Sequence, residues 1–280
     1  MSRSDLSARM KAYEVPTHMV LPRRTYTILR VDGRAFHTYL SKADKPFDFK
    51  FMQNMNDVAE LMCRQIPGTV MAYTQSDEIS FLIQDFGEIT TEPWFGGGVQ
   101  KIASVAASMA SVFLDRLRLV QVGAPPQFDA RVFTISTAVE VANYFLERQQ
   151  DARRNGVSMI ARTLFSDTDL QGRNVQQRIE MIEDRAGVKL ESFPEGARMG
   201  RAVLKVPEEY PVSIPALDGK FDSITVQGHT WTAFPAPAFR AEDDTFLARV
   251  IPPLPAFSPH LPLNAVLNGG DNAGDPNPLL

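Results

Sequence analysis

Two hydrophobic periods alternate along the first half of the chain. Residues 25–31 are rich in β-branched and aromatic side chains and stop at a polar Asp-Gly pair, which predicts a strand followed by a turn. Apolar residues then recur at helical spacing from 51 to 62, until Pro67-Gly68 breaks the pattern. These segments predict a first strand and a first long helix.

The following segments predict a hairpin, a helix and a strand. Apolar runs at 69–74 and 79–83 are separated by four polar residues that suit a tight turn. Helical spacing returns between 99 and 113, and residues 128–135 have the pattern of a strand. The predicted order of elements is therefore βαββαβ.

This order predicts an α+β protein with a ferredoxin-like core of the polymerase-palm type. Its sheet is antiparallel, both helices cover one face, and right-handed crossovers place the first and third strands together in the middle. Asp32 follows the first strand, so we expect it near the hairpin that carries Asp77 and Glu78. Residues that are far apart in the sequence would converge there.

Helix and strand patterns continue beyond this core without its regular order. Helical spacing covers 138–150, 157–165 and 175–184, and strand patterns cover 201–206 and 224–234. We therefore expect appended helices and a small β element after the core.

Proline content sets off the last part of the chain. Prolines crowd the residues after Ile251, and a segment of that composition does not build a packed core of its own. The expected organisation has three parts, which are a palm-like catalytic core at 1–136, a helical and small β region packed on it at 137–250, and an extended, partly mobile tail at 251–280.

Composition and charge narrow the class of protein. With 44% hydrophobic and 22% charged residues the chain matches ordinary globular usage, which excludes fibrous and wholly disordered classes. Because the formal net charge is −4, any nucleic-acid contact must come from a local basic patch. The single Cys63, and the lack of an apolar leader or a membrane-length apolar run, favour a soluble, cytoplasmic protein without a membrane partner.

The expected cluster of Asp32, Asp77 and Glu78 predicts a metal site. Three carboxylates at one sheet edge repel one another, and a divalent cation is the usual relief. Mg²⁺ is the leading candidate, because it takes one or two carboxylates and completes its shell with water and substrate phosphates. Two Mg²⁺ ions bridged by Asp32 and Asp77 would clamp the oxygens of a phosphoryl displacement, which predicts a nucleotidyltransferase that binds nucleoside triphosphates.

The loop after the first strand is the candidate for holding the triphosphate. Gly33 has no side chain, so its main-chain groups can approach a metal or phosphate closely. The loop residues that would continue around the triphosphate are Arg34, Ala35, Phe36 and His37. A plainer interpretation stays open, because Asp-Gly after a strand is a common turn and a lone histidine is more often structural.

Two lysines on elements beside this loop, Lys45 and Lys101, are candidates to neutralise phosphate oxygens. A solvated loop residue is the alternative for Lys45.

Other catalytic patterns are lacking, since Gly96-Gly97-Gly98 is not followed by the lysine and hydroxyl of a P-loop. The four histidines are scattered without zinc-ligand spacing. A P-loop enzyme and a zinc hydrolase are therefore disfavoured.

A basic cluster lies on the helical patterns after the core. Its members are Arg148, Arg153, Arg154 and Arg162. Their guanidinium groups are candidates to hold the phosphates of a polynucleotide. A solvated helix face is an equal alternative, because Glu147 and Asp151 are interspersed.

Several motifs together resemble one known family. The specific motifs are Met10-Lys11-Ala12-Tyr13-Glu14, the stretch RVDGRAFH at 30–37 and the stretch YTQSDEISF at 73–81. Weaker similarities lie at 128–132 and 148–155. In this order they resemble the histidine-tRNA guanylyltransferases and their guanylyltransferase-like branch, which are 3′-to-5′ polymerases.

The resemblance implies a set of roles for residues of this chain. It implies that Asp32, the Gly33 carbonyl and Asp77 bind two Mg²⁺ ions, that residues 32–37 with Ser76 hold the triphosphate, and that Glu78 is needed for activity. The lysines near the nucleotide would be Lys45 and Lys101. The RNA contacts would come from Arg148, Arg153, Arg154 and Asn155.

The same resemblance implies the reaction and the partners. Such enzymes activate a tRNA 5′-monophosphate with ATP, and the 3′-hydroxyl of an incoming nucleotide such as GTP then attacks the activated phosphate. Members are commonly homo-tetramers. Residues 153–156 differ from the His-Ile-Asn-Asn stretch of eukaryotic members, which favours the branch that repairs tRNA 5′ ends over strict guanylylation. The physiological RNA and the preferred activating nucleotide stay open at this point.

Two other functions remain as alternatives. A nucleotidyl cyclase or signalling-nucleotide synthase would use the same palm and the same carboxylates but would condense nucleotides instead of extending RNA. A catalytically inactive nucleotide- or RNA-binding protein would keep the fold only. The retained acidic residues argue against this last alternative, because mutually repelling carboxylates without a metal have no electrostatic benefit.

Overall fold

The computed structural model describes residues 3–88, 90–117, 124–215, 221–240 and 246–255. Within these ranges six strands form one antiparallel sheet, in the order β4-β1-β3-β2-β5-β6. The strands are β1 (Tyr26–Gly33), β2 (Thr69–Gln75), β3 (Glu78–Gln84), β4 (Phe128–Ile135), β5 (Arg201–Pro215) and β6 (Phe221–Pro235). The helices are α1 (Arg3–Ala12), α2 (Phe36–Tyr39), α3 (Phe49–Gln65), α4 (Val99–Leu117), α5 (Ala138–Leu164), α6 (Asp167–Leu170), α7 (Val175–Glu180), α8 (Glu195–Met199) and α9 (Phe246–Val250).

The predicted palm is confirmed in the elements β1, α3, β2, β3, α4 and β4. β1 lies between β3 and β4, as right-handed crossovers require. The hairpin differs slightly from its prediction, because Glu78 is the first residue of β3 and only Ser76 and Asp77 form the turn. Ser76 adopts a positive φ of 48°, which makes this turn tight.

The helices α3 and α4 cover one face of the sheet, as predicted. Strand side chains alternate between faces, so Leu29, Val31 and Phe81 point toward these helices. The helical side chains that meet them are buried and include Met55, Val58, Met62, Ile102, Ala106 and Ala110. Asp48 caps the start of α3 by accepting a hydrogen bond from the Phe51 amide at 2.8 Å.

The helix α5 covers the opposite face. Val141 and Phe145 of α5 pack there against Tyr26, Ile28 and Leu82 of the sheet. The sequence pattern predicted two helices at 138–150 and 157–165, and this was wrong, because the 27 residues of α5 are continuous. The polar stretch between the two patterns stays helical.

The polar stretch of α5 packs closely against α8. A Cβ atom at Gly156 would lie 3.3 Å from the Arg198 Cα, so the helix passes directly against the α8 backbone. Beyond this point, Val157 and Ile160 of α5 join a separate apolar cluster with Leu170 and Ile182. The helix predicted at 175–184 is present as α7 followed by a π-helical turn.

The predicted small β element is the β5–β6 hairpin, which extends the palm sheet. β5 pairs with β2 along residues that include Ala202 opposite Tyr73. Near the other end of the chain, the Tyr26 hydroxyl donates a hydrogen bond to the Pro252 carbonyl at 2.6 Å. The tail predicted at 251–280 lies outside the described residues beyond residue 255. In the described part of the chain, every helix is too short or too polar to cross a membrane.

Gly200, just before β5, is a sensitive position of the fold. Its φ of +77° is nearly exclusive to glycine, and a Cβ atom there would lie 2.3 Å from the hydroxyl oxygen of buried Tyr73. We expect Gly200→Ala to lower the free energy of unfolding by roughly 2–5 kcal/mol, measured by urea denaturation. The control Gly172→Ala has a similar φ of +72° but open space around it, so its loss should stay near about 1–2 kcal/mol. Equal losses in both variants would contradict the Tyr73 contact.

Candidate active site

The end of β1 and the β2–β3 turn meet at one edge of the sheet. The register places Asp32 directly opposite Glu78 of β3 and Asp129 of β4. The Gly33 amide donates a hydrogen bond to the Asp77 carbonyl at 3.1 Å. The structure therefore brings Asp32, Gly33 and Asp77 together, as the order of elements predicts.

Gly33 is required at this junction for steric reasons. A Cβ atom added there would lie 2.7 Å from Asp77 Oδ2 and 2.4 Å from Phe36 Cδ2. The Asp77 carboxylate thus lies against the bare main chain of Gly33. The Asp77 carboxylate and the Gly33 main chain therefore border the same small volume.

Burial makes the two aspartates costly to ionise. Desolvation raises the pKa of Asp32 above its ordinary value, and the charge of Asp129 raises it further, although Arg30 and Arg131 oppose this. Desolvation also raises the pKa of Asp77, and the charge of Asp32 adds to that effect. The protein therefore concentrates negative charge at a place where its own groups do not fully compensate it.

Glu78 is placed differently from the expected cluster of three carboxylates. It is only 6% exposed, and its Oε2 accepts a hydrogen bond from Arg148 Nη1 of α5 at 3.0 Å. Its Oε1 accepts another from the Ser80 hydroxyl at 3.3 Å. Within the described ranges, three His, Cys, Asp or Glu side chains nowhere gather closely enough to hold a metal. Glu78 is thus part of a buried ion pair beside the two aspartates.

The loop after Gly33 is anchored by Phe36. This residue is 3% exposed, and its ring packs against the rings of Tyr39, Phe51 and Phe128. The Arg34 amide and guanidinium both donate to Gln127, at 2.8 and 3.0 Å. Two further loop residues that the sequence predicts at the nucleotide, Ala35 with a φ of 57° and His37, are exposed. The anchored loop keeps a fixed path beside the aspartates.

A cleft opens next to the turn that carries Ser76. It contains about 560 Å³ with its open mouth included, and we call it the base cleft after the role that we propose for it. The apolar residues that line it are Leu40, Ala43, Phe47, Phe51, Met52, Ala152, Met159 and Ala197. Its polar lining consists of Asp44, Lys45, Asp48, Gln75, Ser76, Asn155 and Arg201, with the main chain of Gly156. The cleft combines apolar walls with a few polar groups, which is typical of a small-molecule site.

The two lysines predicted near the nucleotide line different cavities. Lys45 lies at the base cleft beside Ser76. Lys101 lines an open groove on α4, where its ammonium group is 4.8 Å from the centre of the Phe95 ring. This contact is a cation–π interaction. The structure therefore places Lys45, and not Lys101, at the cleft next to the Asp77 turn.

The arginines of the basic cluster differ in exposure and in their ion-pair partners. The Arg148 side chain is 14% exposed and contacts Glu147, Glu78 and Asp151, the last at 3.7 Å. This differs from the RNA contact expected of Arg148, because its guanidinium is already engaged by carboxylates. The outer surface of α5 carries exposed Arg153, with Arg154 paired to Asp151 at 3.0 Å and Asn155 at the cleft.

Sequence reasoning missed Arg201, which lines the base cleft from the first position of β5. The only signal was a charged residue at the start of an apolar strand pattern, and that signal is weak. The Arg148–Glu78 pair was missed as well, since 70 positions separate its members. Both residues become informative only when the fold brings their partners close.

Comparisons of sequence identify related proteins. The family model described as tRNAHis guanylyltransferase matches residues 7–136. A probable tRNA(His) guanylyltransferase of Dictyostelium discoideum is 26% identical over 215 residues, which cover 71% of this chain and 81% of that protein. A tRNA(His) guanylyltransferase of Debaryomyces hansenii is 33% identical over 142 residues, covering 48% of this chain and 52% of that one.

Solved structures give the same result over more of the chain. A bacterial tRNA(His) guanylyltransferase-like protein in complex with ATP is 32% identical, with a TM-score of 0.69, covering 78% of this chain and 91% of that one. A bacterial protein of the same description in complex with GTP is 31% identical, with a TM-score of 0.65 and coverages of 84% and 93%. The similarity therefore extends well beyond the palm.

The raised pKa of Asp77 predicts a stability effect. Because folding favours its neutral form, wild-type stability should fall as the pH rises through 3.8, the ordinary value, toward the raised folded value. We expect Asp77→Asn to remove this loss and to raise the free energy of unfolding at neutral pH in EDTA. Asp129→Asn is the control, because the Asp129 side chain is 56% exposed. A less stable Asp77→Asn protein under these conditions would contradict the burial argument.

Proposed function

The chain belongs to the tRNAHis guanylyltransferase family, and we propose that it adds nucleotides to the 5′ end of tRNA at a magnesium site formed by Asp32, Gly33 and Asp77. One observation carries the site assignment. The Asp77 carboxylate lies against the main chain of Gly33 at the sheet edge where Asp32 also ends. Family membership supplies the reaction, and this geometry supports the assignment of the metal site to these three residues.

The reaction of the family consists of two phosphoryl transfers. In the first, a 5′-monophosphate oxygen of the tRNA attacks the α-phosphorus of ATP, and pyrophosphate leaves. In the second, the 3′-hydroxyl of GTP attacks the activated 5′ phosphorus, and AMP leaves. Related proteins bound to ATP and to GTP support the use of both nucleotides by this chain.

The residues at the sheet edge fit Mg²⁺. Asp32 and Asp77 are half-buried carboxylates with raised pKa values, so the site lacks compensating positive charge. Together with the main chain of Gly33 they provide the hard oxygen ligands that Mg²⁺ prefers. When bound there, Mg²⁺ would stabilise the charge that develops on the transferred phosphoryl group. A site with only two carboxylates leaves the remaining positions for water and substrate phosphates.

The surrounding residues of the chain then orient the nucleotide. The loop 34–37, fixed by buried Phe36 and by the Arg34–Gln127 bonds, lines the path of the triphosphate. Ser76 stands between Asp77 and the base cleft, and the apolar walls of that cleft receive the base. Lys45 at the cleft is close to the expected phosphates and would neutralise them.

Glu78 and Arg148 serve this site indirectly in the proposal. Their ion pair ties the hairpin to α5, so Glu78 supports the position of Asp77 and does not bind the metal.

The RNA would approach the exposed groups of Arg153, Arg154 and Asn155. Lys101 would act outside the base cleft. Tetrameric assembly and a cytoplasmic location stay predictions from the family resemblance.

The central test is transfer of labelled GTP to a tRNA that lacks its first 5′ nucleotide, with Mg²⁺ and ATP. Wild-type protein should lengthen the RNA at its 5′ end, and EDTA should abolish the product. Asp32→Ala and Asp77→Ala should each lose about a thousandfold or more in rate, because a metal site supplies several kcal/mol of transition-state stabilisation. Asp129→Ala is the matched control and should stay within a few fold of wild type.

Two results would reject the proposal. A cyclic or condensed nucleotide product without RNA extension would indicate a cyclase or synthase. Full activity of Asp77→Ala would place the metal site elsewhere.

Arg153 tests the RNA surface. We expect Arg153→Ala to weaken RNA binding and to reduce the slope of log affinity against log salt by about 1, since one phosphate contact is lost. Arg249→Ala, which removes an exposed arginine from α9, should change neither quantity. Filter binding over a salt series measures both. An unchanged slope in Arg153→Ala would remove this side chain from the interface.

A further inference from the structure

A second pocket opens at the C-terminal end of α5. It contains about 710 Å³ with its open mouth included, and we call it the arginine pocket. Arg162, from the last turn of α5, and Arg178, from α7, both line it. Most of the other lining residues are also polar, and they include Asp167, Thr168 and Gln171. The arginine pocket therefore differs from the base cleft, whose walls are mostly apolar.

The two arginines of this pocket are poorly neutralised by the protein. Within the described residues, the one ion pair of Arg162 joins its Nε to Asp167 Oδ1 at 4.0 Å, and the two side chains are 69% and 94% exposed. A pair that is so long and so solvated contributes little. Arg178 has no ion pair with a carboxylate in the same part of the chain. The pocket therefore carries an excess of positive charge.

Contacts with α5 hold Arg178 in place. Its Nη1 donates a hydrogen bond to the Ser158 hydroxyl oxygen at 2.8 Å, and this hydroxyl donates to the Arg154 carbonyl at 2.8 Å. Arg154, Ser158 and Arg162 are spaced four residues apart, so they lie in a row on one face of α5. The two ends of the row are about 12 Å apart along the helix axis. The guanidinium group of Arg178 thus lies beside this row.

The row continues the surface that the proposed function assigns to RNA. At its first end, Arg154 is paired with Asp151 at 3.0 Å and with Glu147 at 3.6 Å. At its other end, the long contact with Asp167 is the one ion pair that the described residues offer to the arginines of the pocket. The cations that are available to a ligand therefore lie at the pocket end of the row.

The lining of the arginine pocket favours a phosphate group as the ligand. Guanidinium groups bind phosphate oxygens through forked N–H donors, and here two such groups come from separate helices. Thr168 and Gln171 add a hydroxyl and an amide that can also donate hydrogen bonds. A small molecule is usually held in an enclosed and mostly apolar site, whereas this pocket is open and polar. Its chemistry fits a phosphate that belongs to a polynucleotide backbone.

We propose that the arginine pocket binds a backbone phosphate of the RNA substrate through Arg162 and Arg178. The inference rests on the proposed function, because it takes RNA as the substrate. It extends the RNA surface from Arg153 and Arg154 to the end of α5. Such a contact positions the RNA without reading its sequence, since every nucleotide carries the same phosphate group.

Arg162→Ala tests the pocket without disturbing the core, because this side chain is 69% exposed. Filter binding measures the affinity for a tRNA that lacks its first 5′ nucleotide, with Mg²⁺ and without ATP, so that no transfer takes place. The variant should bind this RNA about tenfold more weakly, because a charged contact is lost. The slope of log affinity against log salt should fall by about 1. Unchanged affinity and slope would overturn the proposal.

Arg173→Ala is the matched control. Arg173 is also exposed and lies between α6 and α7, but it does not line the arginine pocket. Its replacement removes the same charge from the same region, so RNA affinity and salt slope should stay close to those of wild type. Equal losses in Arg173→Ala and Arg162→Ala would indicate a general effect of charge and would overturn the proposal.

Arg178→Met removes the second cation of the pocket. It should weaken RNA binding about as much as Arg162→Ala does. The double variant should lose less than the product of the two single losses, because both side chains hold the same phosphate. Unchanged RNA binding by folded Arg178→Met, or losses that multiply fully, would overturn the shared contact. If Arg178→Met does not fold, Arg162→Ala and its control decide alone.

A titration with sodium phosphate in the absence of RNA distinguishes a free anion from a polynucleotide. A melting temperature that phosphate raises in wild type but not in Arg162→Ala, with equal RNA affinity in both, would indicate a free-phosphate site and would overturn the proposal. If wild type extends RNA while Arg162→Ala binds it like wild type, this inference alone fails. If Arg162→Ala loses affinity as expected while wild type extends no RNA, the proposed function fails and the arginine pocket keeps its role.

Discussion

The contact between the Gly33 main chain and the Asp77 carboxylate is the constraint on which the site depends. It requires β1 and β3 to be neighbours, a two-residue turn after β2, and no side chain at position 33. Each requirement is met by local sequence, since β-branched strands, a tight polar turn and a glycine are all present. The palm topology thus brings the acidic residues to one edge through the pairing of β1 with β3.

The acidic residues around this edge differ in whether an arginine neutralises them. The face under α5 carries the ion pair of Glu78 and Arg148, while the hydroxyls of Ser80 and Tyr144 lie 2.9 Å apart beside it. Arg30 and Arg131 lie two register positions behind Asp32 and Asp129 and are paired with each other. Glu78 is therefore neutralised by an arginine, whereas Asp32 and Asp77 are left available to a cation. The sequence alone does not distinguish these two kinds of acidic residue.

The sequence predicts the palm well because its elements have clean periods and clear boundaries. Strand β4 was predicted at its observed limits, 128–135, whereas α5 was predicted as two helices because six polar or small residues interrupt its apolar pattern. Their helical state depends on packing against α8, which local sequence does not contain. Arg201 was missed for the same reason, since its hydrogen-bond partner Asn56 is 145 positions away in the sequence.

The continuity of α5 also fixes the distance between two parts of the molecule. Arg148, which grips the hairpin, and Asn155, which lines the base cleft, are seven residues apart and therefore share one face of the helix, about 10 Å apart along its axis. A single inserted residue between them would swing one partner about 100° away from the other. The spacing between the β2–β3 hairpin and this cleft is thus set by helical pitch, so a change of length between Arg148 and Asn155 would disturb it more than a change of composition.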